Sequence, residues 1–202
     1  MPSRELRAYL DATEHRKTRE DLKLAVQLVE GPRIAIDCGC GAGSDIAFLR
    51  TQGFTVHAFD IEQCAIDRCR QRFAGDQNVH LERACFNTFS YPRASLIVAD
   101  ASLFFCREED FQGVWGKIRE SLLPGGVFTG SFLGRDDSMA QPTGTRSALW
   151  PEVLIADADR VQDWMRGLEV ISLTEYRNAG HAPGGGAHQW HLFPVIARRP
   201  RD

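Results

Sequence analysis

What this chain lacks narrows it first. No stretch approaches the ~20 consecutive apolar residues that a bilayer-spanning helix needs, so no membrane partner is expected. The first five residues carry charge and no apolar segment follows, which excludes a secretory leader and makes the cytoplasm the expected compartment. Charge of one sign is in no surplus: a net charge of -3 gives no field to attract nucleic acid. Arg198, Arg199 and Arg201 read as a solvated basic tail. Zinc spacing is missing too, because neither Cys38-x-Cys40 nor Cys64 with Cys69 has a matching second pair. The six cysteines are therefore read as reduced thiols, with no metal expected. No internal repeat and no composition break marks a second domain.

What is present is organised around Ile34 to Ser44, IAIDCGCGAGS. A short apolar run ends at Asp37, glycines follow at positions 39, 41 and 43, and a helical pattern starts with Ser44 as its N-cap. Glycine permits positive φ and lets a ligand lie against the backbone, and free N–H groups at the helix start favour polar or anionic groups. A strand, a tight turn and a helix in this order point to a ligand site.

The rest of the chain alternates. Helical patterns at Arg4 to Thr13 and Thr18 to Glu30 precede strands at Arg33 to Asp37, Phe54 to Phe59, Val79 to Arg83, Ser95 to Ala99 and Val127 to Leu133. Helices fill the intervals, among them Glu62 to Phe73 and Asp110 to Leu122. This calls for a doubly wound α/β fold, a mostly parallel Rossmann-like sheet of seven strands. Ligands then sit at the carboxyl ends of the strands, where Asp37, Asp60 and Asp100 lie. Gly134 to Ala148 is too polar and too long for an ordinary connection and reads as a functional or disordered loop. Beyond it come a helix at Asp157 to Arg166 and strands at Leu168 to Tyr176 and Gln189 to Ala197, the last antiparallel because no helix separates them.

Three details separate the ligand options. The glycines run GxGxG after an acidic residue, and Ser44 stands where a dinucleotide pattern wants a third glycine. Asp60 closes the second strand, where a carboxylate accepts both hydroxyl hydrogens of a ribose. The chain also finishes with an antiparallel strand pair. AIDCGCGAGSDIAFL, VHAFDIE and SLLPGGVFTGSFL together resemble class I S-adenosylmethionine-dependent methyltransferases, over about Arg33 to Arg198. AYLDATEHRKTREDLKLAVQL and HQWHLFPVIARR further resemble the small bacterial tellurite-resistance and thiopurine-type group.

That resemblance implies S-adenosyl-L-methionine as cofactor and a single domain over 1–202. Its parts are a helical cap (1–30), a cofactor-binding half (31–133), and a substrate loop with the antiparallel pair (134–202). It places Tyr9, Thr13 and Arg16 of the cap over the cofactor. Asp37, Gly39, Cys40, Gly41, Gly43, Asp60, Ile61, Ala99 and Asp100 fall at the strand ends, and Cys85 and Phe86 near the adenine. Relatives carry an acidic residue after the third strand, whereas Ala84-Cys85-Phe86 stands here, and a thiol accepts hydrogen bonds weakly.

Asp37 either fixes the glycine turn or approaches the cofactor's ammonium group. Arg16 either pairs with a carboxylate or is a surface residue. Phe104 and Phe105 either wall the pocket or pack the core. By period two, His188, Trp190 and Leu192 share one face of the last strand, and Gln189, His191 and Phe193 the other. His188, His191 and Asp100 are the candidates for proton removal, without a firm choice among them. His181, in a glycine-rich loop, reads as either a lid residue or an idle one. The expected activity is methyl transfer to a small-molecule O, N, S or chalcogen nucleophile. The rival readings are an inactive cofactor-binding module acting through a protein partner, and a peptide or protein methyltransferase.

Overall fold

The computed structural model describes residues 3–141 and 152–201. The helices are α1 (Arg4–Thr13), α2 (Glu20–Leu28), α3 (Ser44–Thr51), α4 (Gln63–Arg72), α5 (Glu108–Ser121) and α6 (Ala158–Trp164). The strands are β1 (Ile34–Cys38), β2 (Thr55–Asp60), β3 (Val79–Arg83), β4 (Ala94–Ala99), β5 (Leu122–Gly134), β6 (Ile155–Ala156), β7 (Glu169–Leu173), β8 (Tyr176–His181) and β9 (Ala187–Arg198). They form one sheet in the order β3-β2-β1-β4-β5-β9-β7, with β6 against β5 and β8 against β9. Strands β1 to β6 pair in parallel, and β9 runs antiparallel to β5, β7 and β8. No described helix is long and apolar enough to cross a membrane.

Strand β4 reads ASLIVA and is buried along its whole length, as a central parallel strand covered on both faces must be. Successive side chains alternate between faces, and the core divides accordingly. Ala35, Leu96 and Val127 pack with Leu22, Ile46, Leu49 and Ile66 of α2, α3 and α4. Their neighbours Ile36, Ile97 and Phe128 pack with Phe111, Trp115 and Trp164 of α5 and α6. The Trp115 indole donates to the Trp164 carbonyl at 2.7 Å, so its polar edge is satisfied inside the core.

Two local readings change. The first residue of α3 is Ser44, and its N-cap is Gly43 at φ 78°. A Cβ at Gly43 would stand 2.8 Å from the Phe73 ring and 2.9 Å from Cys69 Sγ, so the turn packs too tightly for a side chain. The segment between the last two expected strands is not an open loop. Tyr176–His181 is a strand paired with Ala187–Leu192, and β8 and β9 make a hairpin whose tip, 182–186, reaches α1. Polar, glycine-rich NAGHAPGGGAH lacks the apolar alternation that signals a half-buried strand, and β8 is almost wholly exposed. The loop expected at Gly134 to Ala148 begins as a short 3-10 turn at Ser138–Ala140; its part from 142 onward lies outside the described residues.

Candidate functional site

A cavity of about 740 Å³ opens along the carboxyl edge of the sheet. At one end its wall holds Gly39 and Gly41 of the turn after β1, Asp60 at the end of β2 with Ile61 after it, and Cys85 and Phe86 after β3. Leu6, Tyr9 and Leu10 of α1 lie across it. The α1 helix is placed by its own chemistry: the Ser3 hydroxyl caps Leu6 N at 3.1 Å, and Leu6 and Leu10 pack with Ala42 and Ala65.

The turn amides are not free. Gly39 N and Cys40 N donate to the Phe59 carbonyl at 2.9 and 3.0 Å, and Gly41 N donates to Asp60 Oδ2 at 2.9 Å. Glu62 N donates to Asp60 Oδ1 at 2.9 Å. Each carboxylate oxygen thus holds one backbone donor and keeps acceptor capacity toward the cavity. Burial raises the Asp60 pKa, opposed by the Glu62 and Gly41 amides. Gly39 is forced by space as well as by its φ of 73°, since a Cβ there would come 2.6 Å from Ser102 Cβ.

Four charged groups meet beside the turn. Arg16 donates to the Ser44 hydroxyl (2.9 Å) and Asp45 (3.1 Å); Arg19 reaches Asp45 and Asp100, both at 2.9 Å. Arg16 Nη1 stands 3.5 Å from Asp100, the loosest of these contacts. Burial pushes the Asp45 carboxyl up, but Arg19 and Arg16 together outweigh it and hold the pKa below its usual value. Asp37 differs. It is buried, its Oδ2 has no hydrogen-bond partner among the described residues, and burial followed by the Asp45 charge drives its pKa well above normal. The residue after Asp100, Ala101, sits at φ 47°, the only positive φ among the described non-glycine residues. Its amide donates to the Ser131 hydroxyl, which donates to Asp100 at 3.0 Å. Strain of this kind concentrates where a chain holds functional groups in place.

The other end of the cavity is aromatic and apolar, with Phe104, Phe105, Met139, Trp190, Leu192 and Pro194 in its wall. His188 lies there too, its ring 4.0 Å from that of Trp190. His188 Nε2 is 2.9 Å from Oδ1 of Asp137, which is fully buried and also accepts from Met139 N and His191 N at 2.9 Å. His191 points away from the cavity: its Nδ1 accepts from Asp136 N at 3.1 Å and its Nε2 faces Glu175 at 3.0 Å. A Cβ at Gly134 would come 2.4 Å from that ring, which explains the glycine at the end of β5.

Of the residues singled out from sequence, Tyr9, Arg16, Gly39, Gly41, Asp60, Ile61, Cys85, Phe86, Asp100 and His188 line one cavity. Thr13 is buried, with its hydroxyl bonded to the Tyr9 carbonyl at 2.8 Å. Asp37, Cys40, Gly43, Ala99, His181 and His191 are not on the cavity wall. Phe104 and Phe105 serve both readings, packing with the core and facing the cavity. Sequence reasoning passed over Arg19, Asp45, Ser131 and Asp137. Asp45 had a signal, an acid in the first turn of the helix after the glycines; Asp137, in a polar run, had none.

Comparison with known proteins places this geometry. Residues 35–126 match the family described as a methyltransferase domain. Carboxy-S-adenosyl-L-methionine synthase from Pseudomonas fluorescens is 28% identical over 115 residues, 52% of this chain and 47% of that protein. The corresponding synthase from Erwinia tasmaniensis is 29% identical over 111 residues, 52% of this chain and 45% of that protein. The chain spans about half the length of these relatives. Among solved structures, TehB from Haemophilus influenzae superposes with a TM-score of 0.73 at 15% identity, over 90% of this chain and 62% of that one. The N-methyltransferase NodS from Bradyrhizobium japonicum with S-adenosyl-L-homocysteine gives 0.69 at 15% identity, over 96% of both chains. Over residues 35–126 the chain thus resembles methyltransferase domains, and its fold is that of TehB and of NodS, the latter solved with S-adenosyl-L-homocysteine.

Proposed function

We propose that this chain, which carries a methyltransferase domain over residues 35–126, transfers a methyl group from S-adenosyl-L-methionine to a small-molecule acceptor. The observation that carries the reading is one cavity of about 740 Å³ joining the Asp60 carboxylate at one end to the aromatic wall around Trp190 at the other. A volume of that order suits enclosed small ligands.

The residues present fit the cofactor. Asp60 keeps acceptor capacity for a ribose diol, and Ile61, 58% exposed at the lip, with Phe86, offers apolar surface to an adenine. Arg16, through its loosely held Nη1, is the group for the carboxylate of the methionine end. Tyr9, Leu6 and Leu10 cover the site and exclude water. When bound, the cofactor supplies an activated methyl group on a sulfonium. The protein's share is to align the acceptor, keep the site dry and remove a proton where the acceptor carries one.

The fold alone does not choose the reaction. The [4+2]-cyclase SpnF superposes with a TM-score of 0.63, and the sequence relatives are synthases. The test is transfer of labelled methyl from S-adenosyl-L-methionine into low-molecular-weight fractions of a metabolite extract. Label in a small molecule supports the reading. Label only in peptide or protein favours the macromolecular alternative, and tight cofactor binding without any transfer favours the inactive module.

A further inference from the structure

Resting on the proposed methyl transfer, we propose that the acceptor is a flat aromatic compound with an acidic ring hydroxyl, and that His188, held by Asp137, is the base that removes its proton. Three observations carry this.

The first is the dyad. Asp137 is fully buried and accepts from two backbone amides and from His188 Nε2 at 2.9 Å. A carboxylate so placed fixes the imidazole with its hydrogen on Nε2 and leaves Nδ1 as the basic nitrogen. Nδ1 takes no hydrogen bond among the described residues, and the ring lines the cavity. The second is position. The His188 ring packs against that of Trp190 at a tilt of 36°, and both stand on the face of β9 that carries Leu192 and Pro194 into the same wall, opposite the end that holds Asp60. The third is the wall. Phe104, Phe105 and Trp190 offer ring faces and edges; of the charges in the wall, Asp100 pairs with Arg19 and Arg107 with Glu109 and Asp110, while Glu152, exposed at the wall, acts on Arg107 through its charge. An uncharged, flat acceptor fits that lining.

Proton acidity narrows the class further. A phenolic hydroxyl, with an ordinary pKa of about 10, is acidic enough to give its proton to an imidazole base as the methyl group is transferred. An aliphatic hydroxyl is far too weak an acid for it. In the proposed step the acceptor O–H bond breaks, an N–H bond forms at His188 Nδ1, and the oxygen keeps the electron pair with which it attacks the methyl carbon, while the bond from that carbon to the sulfonium sulfur would break and leave its pair on sulfur as a neutral thioether. The resulting imidazolium is neutralised by Asp137 and returns its proton to water after release. Asp137 is a positioning residue: it touches the base and not the acceptor.

The test uses the full chain saturated with S-adenosyl-L-homocysteine and titrated with 4-nitrophenol at a pH about one unit below the probe's own pKa, so that free probe is mostly neutral. Binding is expected to develop the visible phenolate band in the wild type. In His188→Gln the band should be lost while the homocysteine compound still binds. In Asp137→Asn the band should fall at least tenfold, and the imidazole nitrogen resonances of His188 should show the hydrogen moved off Nε2. Absence of probe binding, or a phenolate band that survives His188→Gln, overturns the proposal. If the homocysteine compound itself fails to bind, the proposed function fails first. With S-adenosyl-L-methionine, His188→Gln should slow methylation of 2-naphthol at least a hundredfold and leave thiophenol, already ionised at neutral pH, within threefold. Equal losses on the two acceptors contradict the assignment.

Discussion

The two ends of the cavity are built by different means. At the Asp60 end, position comes from backbone: parallel strands stop in register, glycine turns lie against them, and main-chain amides hold the Asp60 carboxylate. At the His188 end, position comes from side chains on an antiparallel hairpin, anchored by a carboxylate buried under three donors. The first construction tolerates change in what surrounds it but not in its glycines and its acid. The second fixes one imidazole and leaves the surrounding aromatic wall free to vary. A fold that serves many reactions is expected to divide in this way, with a shared end made of topology and a specific end made of side chains.

Four substitutions break or sharpen that contrast, in descending order of effect. Gly39→Ala places a Cβ 2.6 Å from Ser102 Cβ at a φ of 73°. It should cost about 3 kcal/mol of unfolding free energy, read from a urea melt. Adding Ser102→Gly should return about half of that, since it removes the clash and not the φ penalty; full recovery would show that sterics alone dictate the glycine. Asp60→Ala removes the acceptor of Gly41 N and Glu62 N together with the carboxylate proposed to hold the ribose. Affinity for S-adenosyl-L-methionine should fall by about 100-fold, equivalent to about 2.7 kcal/mol, in a calorimetric titration. Binding of 4-nitrophenol at the other end should change by less than threefold, and a matching loss there would erase the distinction between the two ends.

Asp37→Asn runs in the opposite direction. Burial, then Asp45, raises the Asp37 pKa in the folded chain above its unfolded value of about 3.9. A group raised in this way supports folding fully below the unfolded pKa and loses that contribution as pH rises through the folded pKa. The neutral amide should therefore stabilise the protein by about 1–2 kcal/mol near pH 7 and by almost nothing near pH 3. Urea melts at the two pH values decide it; an equal gain at both would mean that Asp37 is not a charged cost at neutral pH. The smallest effect is expected at Ala101, whose φ of 47° suits glycine better. Ala101→Gly should add about 0.5 kcal/mol of stability while loosening Asp100, seen as a weaker dependence of the melt on Arg19.

The same contrast explains what could be read without coordinates. The Asp60 end was legible because its physics is local: apolar runs ending in acids, and glycines at alternate positions, fix both strand ends and turn. Period two on the last strand also separated His188, Trp190 and Leu192 from His191 correctly, since the first three line the cavity and His191 packs behind it. What could not be read was the company each residue keeps. Arg16 is divided among Ser44, Asp45 and Asp100, and Arg19 shares two of those carboxylates. Asp137 reaches His188 across 51 positions. Strand β8 escaped notice because its residues are exposed on both faces and its existence depends on pairing with β9, not on burial.

The most direct test of the account is calorimetric titration of the purified chain with S-adenosyl-L-methionine and, separately, with NADH, with Asp60→Ala alongside. Binding of the sulfonium compound, weakened by the substitution and with no binding of NADH, is the predicted result. Binding of NADH in preference, or binding of neither, would contradict the assignment of this cavity to S-adenosyl-L-methionine.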